Sequence, residues 1–137
     1  MWSRTKTKKV MTMREIKFRA WDKKNKKMVV VWQIDWNDKG EIEYVNRNND
    51  TSNFILMQYT GLHDKNGREI YEGDIVRGAG IKPKIYTVEW LDIYGGFAFL
   101  DDEKAIPACE VPVLFCEVIG NIYENPELIN ENETRKR

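Results

Sequence analysis

The sequence predicts an all-β protein: a small SH3-like barrel of short antiparallel strands, with an N-terminal β layer and at most a short helical turn near the C-terminus. Nine or ten short segments are alternately apolar or rich in β-branched residues, and Gly, Asn, Asp and Pro separate them. No segment shows the apolar period of a long helix. The second half, about residues 59–123, is expected to close the barrel, and the first half to pack against it.

A basic leader precedes the first strand. Residues 1–12 are polar and basic, so we expect them to be disordered, either as a solvated tail or as a basic arm. Met1, Met11 and Met13 are three candidate starts. Residues 13–129 are expected to form one β domain, with sub-layers at 13–58 and 59–129.

The first half contains four predicted strands. In IKFRAW, the alternation places Ile16, Phe18 and Ala20 on one face and polar residues with Trp21 on the other. The later strands of this half are predicted at 28–34 (MVVVWQI), 41–45 (EIEYV) and 54–59 (FILMQY).

The stretch YTGLHDKNGREIYEGDIV, residues 59–76, is predicted to contain two tight turns. In DKNG, Asn66 and Gly67 both tolerate the positive φ that hairpin turns need. In EGD, Gly73 supplies a permissive backbone, and Asp74 is expected to bond the backbone of its own turn. Glycine stands fourth in DKNG, whereas a calcium loop of the EF-hand type needs it sixth, so no metal site is predicted.

The second half is expected to end in a helical turn. Asn125, Pro126 and Glu127 have the order of an N-cap, a first helical position and an acid in the first turn. Residues 130–137 are expected to be disordered. The strands predicted before that turn are 68–71 (REIY), 75–77 (IVR), 85–91 (IYTVEWL), 97–100 (FAFL), 108–111 (ACEV) and 113–119 (VLFCEVI), the last broken at Gly120.

Ten apolar residues at inward-facing positions of these strands form the predicted core. They are Ile16, Phe18, Val30, Phe54, Leu56, Ile75, Val88, Phe99, Leu114 and Val118.

Charge and cysteine content narrow the class of protein. The 22 basic and 22 acidic residues balance, but the leader has four bases and no acid, so the remainder carries a net charge of −4. This net negative charge argues against attraction of nucleic acid by the whole surface. Cys109 and Cys116 do not form a zinc site. With no signal peptide and no apolar run of roughly 20 residues, we expect a cytoplasmic protein with reduced thiols and no membrane contact.

Three blocks of the sequence resemble one known family. Read in order, MREIKFRAWD, LMQYTGLHDKNGREIYEGDIV and EVIGNIYENPEL are similar to the YopX-like family of phage and prophage proteins. The resemblance extends over roughly residues 13–129. It implies a mostly β protein encoded by a phage or prophage, and it implies no reaction and no catalytic residues.

No constellation in the sequence predicts an enzyme, a cofactor or a metal. Glu72 and Asp74 would share a face of an extended strand, and paired carboxylates can divide acid and base roles. Such pairs arise by chance among 22 acids. The single histidine, His63, lies in a turn, and Cys116 is expected to be a small core residue. We therefore expect a non-enzymatic protein.

Nucleic-acid binding is the alternative that the sequence leaves open. Cations beside an aromatic residue on a β surface are the parts of a platform for single strands. The other interpretation is that the aromatic ring covers a small core while lysines solvate a loop or protect a strand edge. The residues concerned are Lys17, Arg19, Trp21, Lys23, Lys24, Lys26 and Lys27.

Protein binding or self-assembly is the function that we favour on sequence. Five Trp, six Tyr and five Phe are many for 137 residues. Most large aromatics of a small β domain belong to its core, but some could form a groove for an extended peptide or for a second copy. The partner is unknown. The aromatic surface is predicted at Trp32, Trp36, Trp90, Tyr94 and Phe97.

Overall fold

The protein is built from short antiparallel strands, as predicted. The structure, a computed structural model, describes residues 14–130, of which 47% lie in strands and 11% in helical turns. The eleven strands of that part are β1 (Phe18–Asp22), β2 (Lys27–Val31), β3 (Ile34–Trp36), β4 (Ile42–Val45), β5 (Phe54–His63), β6 (Glu69–Tyr71), β7 (Asp74–Arg77), β8 (Ile85–Leu91), β9 (Gly96–Leu100), β10 (Ala105–Pro107) and β11 (Glu117–Asn121).

Two sheets and a hairpin form the architecture. The first sheet has the order β2-β1-β5-β6, the second has the order β10-β9-β8-β7-β11, and β3 pairs with β4. The β structure curls as a half-barrel. The ten-residue strand β5 passes unbroken through residues 58 and 59, where the two predicted sub-layers meet. Residues 59–71 therefore pair in the first sheet, while β7 to β11 form the second.

The main core lies on the second sheet. Ile70, Val76, Val88, Phe99, Cys116 and Val118 form one buried cluster. Four of the ten predicted core residues, Ile75, Val88, Phe99 and Val118, are buried, and Phe18, Phe54 and Leu56 are half-buried.

The core prediction is wrong at three residues. Ile16 is 53% exposed because it precedes the first residue of β1. Val30 is 77% exposed because it pairs with Arg19 and lies on the face of β2 opposite to Val29, the partner of the buried Ala20. Leu114 is 68% exposed because it lies in a helical turn rather than in a strand.

Two predicted strands near the C-terminus are helical turns instead. Residues 108–111 contain a 3₁₀ turn, Ala108–Glu110, and the predicted strand 113–119 begins with another, Val113–Phe115. Pro107 and Pro112 precede these turns and lack the N–H that a strand ladder needs. Strand β11 then runs through Gly120, because a register shift between Val118 and Gly120 absorbs it.

The predicted run 28–34 is also divided. It forms β2 and β3, and the residues between them turn away from the sheet. The backbone N–H groups of Trp32 and Gln33 donate to Asn46 Oδ1 at 2.9 and 3.3 Å. Asn46 Nδ2 in turn donates to the carbonyl of Val30 at 2.8 Å. The amide of Asn46 thus covers the outer edge of β2 where a further strand would otherwise pair.

Side chains also cover backbone groups of other terminal strands. On β11, the N–H of Val118 donates to Asp64 Oδ2 at 2.9 Å, and its carbonyl accepts from Arg68 at 3.1 Å. On β10, the carbonyl of Ala105 accepts from the hydroxyl of Tyr94 at 3.2 Å. These bonds leave the terminal strands with fewer backbone groups for pairing with another chain.

The predicted helical turn near the C-terminus is confirmed. A 3₁₀ turn spans Pro126–Asn130, and the N–H of Leu128 donates to the carbonyl of Asn125 at 3.1 Å. The side chain of Asn125 accepts from the N–H of Asn121 instead of capping that turn. The leader at 1–12, the three candidate starts and residues 131–137 lie outside the described residues. In residues 14–130, no helix is long and apolar enough to cross a membrane.

Candidate functional site

Alternate residues of β1 and of the segment just before it each contact a tyrosine. The ammonium of Lys17 lies 5.1 Å from the ring centre of Tyr59, and the guanidinium of Arg19 lies 4.8 Å from that of Tyr71. Trp21 stacks on Tyr123 with ring centres 5.6 Å apart. The face predicted as a nucleic-acid platform is thus packed against three tyrosines.

Arg19 of β1 and Asp74 of β7 connect the two sheets, and we call their junction the seam. Arg19 Nη2 donates to Asp74 Oδ1 at 2.8 Å and to the carbonyl of Glu72 at 3.1 Å. Asp74 Oδ2 accepts the N–H of Tyr71 at 2.8 Å, which confirms the prediction that Asp74 caps its own turn. Asp74 is 2% exposed, and this burial raises the pKa of Asp74 although Arg19 and the Tyr71 amide act in the opposite direction.

A polar cleft of about 530 Å³ opens beside this ion pair. Its lining includes Arg19, Arg68, Asp74, Asn121 and Glu124. The Nε atom of Arg19 is buried there without a hydrogen-bond partner. Both oxygens of Asp74 already accept hydrogen bonds.

The predicted basic loop is a well-defined turn. Asp22 Oδ1 accepts the backbone N–H groups of Lys24 and Asn25, both at 3.0 Å, and Lys26 has a left-handed φ of 52°. All four lysines of this turn, Lys23, Lys24, Lys26 and Lys27, are exposed. Lys17 differs from them, because it forms ion pairs with Glu15 and Glu69.

The five aromatic residues predicted as one surface fall on two different elements. Trp32 and Trp36 border the β3–β4 hairpin and are 62% and 59% exposed. Trp90, Tyr94 and Phe97 belong to β8, β9 and the turn between them. Trp90 is 47% exposed and meets the ring of Phe97 edge-on, with ring centres 5.2 Å apart.

A groove of about 570 Å³ runs between β5 of the first sheet and β8 of the second. Its volume lies within the range of known ligand pockets, roughly 300–1,000 Å³. Among the described residues, Trp90 is the only one of the five predicted aromatic residues that lines this groove. The other lining residues are Ile55, Leu56, Met57, Glu72, Gly73, Thr87, Val88, Glu89, Ile122, Tyr123 and Ile129.

Gly73 closes the floor of this groove. Its N–H donates to the carbonyl of Val88 and its carbonyl accepts from the N–H of Ile122, both at 2.8 Å. A Cβ at this position would lie 2.9 Å from Met57 Sδ and 3.7 Å from a ring carbon of Tyr123. Glycine therefore serves both the left-handed φ of 84° and the close approach.

Sequence reasoning missed most of the groove because its residues come from four separate segments. Met57, Glu72, Glu89 and Tyr123 carry no local motif, and they become neighbours only when β5, β8 and the C-terminal segment pack together. The alternation of β8 sets Trp90 on the opposite face from Glu89, so the sequence carries no signal that both residues line one groove.

The remaining titratable residues show structural roles. Asp64 Oδ1 accepts the N–H groups of Asn66 and Arg68, both at 2.9 Å, within the predicted DKNG turn. Gly67 adopts the positive φ expected there, at 80°. His63 is the last residue of β5 rather than part of a turn as predicted, and it contacts the hydroxyl of Tyr59 at 3.3 Å. Cys116 is buried, as predicted.

Within residues 14–130, no three His, Cys, Asp or Glu side chains are placed to hold a metal ion.

The fold and the seam define a class: an all-β protein of two antiparallel sheets joined by a buried Arg–Asp pair, with an open groove between them. The sequence model of the YopX protein family matches residues 17–130. The chain therefore belongs to the YopX protein family.

Solved structures that are similar to this chain include the following two. Protein EF1440 from Enterococcus faecalis is 32% identical with a TM-score of 0.57, over 85% of this chain and 99% of that one. Protein yopX from Bacillus subtilis is 22% identical with a TM-score of 0.57, over 85% and 98% of the two chains; this second likeness concerns the fold alone. No curated protein matches the sequence.

Proposed function

We propose that this chain is a non-enzymatic accessory protein of a phage or prophage that acts in the host cytoplasm by binding a protein partner. The observation that carries the proposal is the exposure of four large aromatic residues on two elements. Trp32, Trp36, Trp90 and Tyr94 keep 62%, 59%, 47% and 44% of their surface exposed. Trp and Tyr are enriched at protein interfaces and in their energetic centres.

A second copy of the chain is one partner that these surfaces could bind. Pairing through strand edges is disfavoured, because the side chains of Asn46, Tyr94 and Asp64 occupy backbone groups of three terminal strands. Self-assembly would therefore use aromatic side chains rather than β pairing. In that case the mass in solution would rise with concentration and remain high in salt.

Nucleic-acid binding is the second candidate, and one observation favours it. Lys23, Lys24, Lys26 and Lys27 are all exposed on a turn that Asp22 holds in place. Phosphate contacts by such lysines would weaken steeply as salt rises. Replacing all four lysines with serine should then abolish binding of a single-stranded oligonucleotide, and unchanged affinity would rule this turn out.

The experiment that separates these functions uses the full chain. Light scattering behind size exclusion is run at low and high salt, with and without a mixed-sequence single-stranded oligonucleotide. Immobilised protein is then used to capture partners from a host lysate. We expect no oligonucleotide shift, and a captured protein that is retained in high salt.

Matched variants identify the surface in use. W32A/W36A and W90A should each be compared with I81A, because Ile81 is fully exposed and lies on neither aromatic element. Loss of the partner with either tryptophan variant but not with I81A would support the proposal. A partner retained equally by all three, or a salt-sensitive oligonucleotide complex, would overturn it.

A further inference from the structure

The groove between the sheets continues along β8 beyond the cleft described above. A second cleft of about 220 Å³ adjoins it, and both are lined by Thr87, Glu89 and Ile129. The second cleft ends at Asp101 and Asp102, on the segment that leads from β9 to β10. The two clefts, which we call the channel, are continuous along β8, and an elongated opening of this form accepts an extended chain.

The walls of this channel are apolar and are held in place. Trp90 Nε1 donates to Asp92 Oδ1 at 3.0 Å, which fixes the indole at the rim. Tyr123 is fixed from behind by its stack on Trp21, with an angle of 15° between the rings. Met57, 3% exposed, forms part of the opposite wall. Rigid aromatic walls bind side chains with little loss of conformational entropy.

The polar groups of the channel are acidic. Among its lining residues in the described part of the chain, four carry carboxylates and none carries a basic group. Glu72 is positioned by the N–H of Gln58, which donates to Glu72 Oε1 at 2.8 Å, and Glu89 accepts from the hydroxyl of Thr87 at 3.3 Å. Burial raises the pKa of Tyr123, and the negative charges of Glu72 and Glu89 raise it further, although the positive charge of Arg19 acts in the opposite direction.

We propose that this channel binds an extended peptide of a protein partner, with a Lys or Arg side chain of the peptide placed between Trp90 and Tyr123 and its charge directed at Glu72 and Glu89. Neighbouring apolar side chains of the peptide would lie against Met57. The inference rests on the proposed protein-binding function and names the chemistry of the partner. The aliphatic stem of a Lys or Arg packs on aromatic rings while its cationic head meets a carboxylate.

The charge of the channel decides between a peptide and a nucleic acid. A single strand would also stack on Trp90 and Tyr123, but its phosphates would approach Glu72 and Glu89 without a compensating cation in the lining. Asp101 at the far end is already compensated by Lys84, with 3.4 Å between the charged groups. Specificity for a cation therefore lies at Glu72 and Glu89.

The test uses the full chain and three synthetic peptides capped at both ends: GVKVRVG, GVQVQVG and GVEVEVG. Affinity is measured by titration calorimetry at low salt, and the site is located from the indole N–H signal of Trp90 in nitrogen–proton spectra. We expect the basic peptide to bind at least tenfold more tightly than the neutral one, and the acidic peptide not to bind. The Trp90 signal should shift, and that of Trp36 should not.

Variants separate charge recognition from loss of the fold. E72Q/E89Q should bring the basic peptide to the affinity of the neutral one, whereas E43Q removes an exposed carboxylate of β4 and should leave affinity unchanged. W90A should weaken both the basic and the neutral peptide.

Equal affinity for the basic and neutral peptides, or a shift confined to Trp36, would overturn the inference. If a lysate partner is lost with W32A/W36A and the basic peptide does not bind, the channel proposal fails while protein binding stands. The wild-type protein could instead have the mass of two chains in solution, and E72Q/E89Q the mass of one. That result would mean that the basic turn of a second copy occupies the channel, and it would also overturn the inference of a separate protein partner.

Discussion

Arg19 of β1 and Asp74 of β7 form an ion pair, with 2.8 Å between Nη2 and Oδ1, that joins one sheet to the other. Asp74 is nearly inaccessible, whereas the side chain of Arg19 keeps 17% of its surface exposed. Removing one partner of a buried pair leaves an uncompensated charge, which costs far more than the pair contributes when intact.

Replacing Arg19 with Met should expose that cost. We expect R19M to lower the free energy of unfolding at pH 7 by about 3–5 kcal/mol, because the carboxylate of Asp74 stays buried without its cation. Urea unfolding of both proteins measures this. In R19M/D74N the charge is gone, so the deficit should be smaller than in R19M.

The deficit of R19M should also depend on pH. Burial raises the folded-state pKa of Asp74 above its unfolded value of 3.8. The stabilisation that protonated Asp74 contributes is therefore fully present below the unfolded-state pKa of 3.8, and it is lost as pH rises through the folded-state pKa. Since Arg19 opposes the shift, its removal should hurt less at pH 4 than at pH 7. Equal deficits at the two pH values would contradict this account.

Asp64 should show the opposite dependence. Burial alone would raise the pKa of Asp64, but the backbone N–H groups of Val118, Arg68 and Asn66 together lower it. The stability it contributes is present above 3.8 and is lost as pH falls through the folded pKa. We expect D64N to lose about 2 kcal/mol at pH 7 and progressively less below pH ~4.

Urea unfolding between pH 2 and pH 7 tests this expectation for D64N. D38N is the matched control, because Asp38 lies in an exposed turn of the β3–β4 hairpin. A deficit of D64N that stays constant to pH 2, or a similar deficit in D38N, would argue against the role of these three amides.

Alanine substitutions at Gly73 and Gly40 distinguish the cost of backbone strain from the cost of side-chain crowding. Both have a positive φ, at 84° and 80°, but a Cβ on Gly40 would meet nothing within 4 Å, whereas one on Gly73 would lie 2.9 Å from Met57 Sδ. G40A should therefore cost only the backbone term, about 1 kcal/mol. G73A should lose about 1–3 kcal/mol more in thermal or urea unfolding. Equal losses would show that Met57 moves aside freely.

Asn46 should protect β2 from pairing with another chain. Asn46→Gly keeps the left-handed φ of 51° but removes the amide that bonds Val30 and Trp32. We expect the average mass in light scattering to rise with protein concentration, because the outer edge of β2 becomes available. Arg47→Asn changes the neighbouring left-handed residue and keeps the Asn46 amide, so its mass should stay constant. A constant mass in N46G would assign Asn46 a purely local role.

The parts of the fold that could be predicted are those with local causes. The turn at DKNG, the cap by Asp74 and the helical turn at Pro126 follow from residues adjacent in sequence. The strand prediction failed at 113–115, where Pro112 and the packing of Val113 on the core favour a helical turn over β propensity. Lys17, Arg19 and Trp21 share a face as predicted, but their tyrosine partners are 42 to 102 residues away in sequence.

The bond between the carbonyl of Gly73 and the N–H of Ile122 has a consequence for synthesis of the chain on the ribosome. The floor of the groove and the outer strand of the second sheet both form only after residues 117–122 have been made, and these follow all the other strands in the described part of the chain. Until then β7 lacks the partner on one side, and Asp64 lacks the N–H of Val118. Pairing between residues so distant in sequence is slow to form. The second sheet of the nascent protein thus keeps one unpaired edge on β7 until β11 has been made.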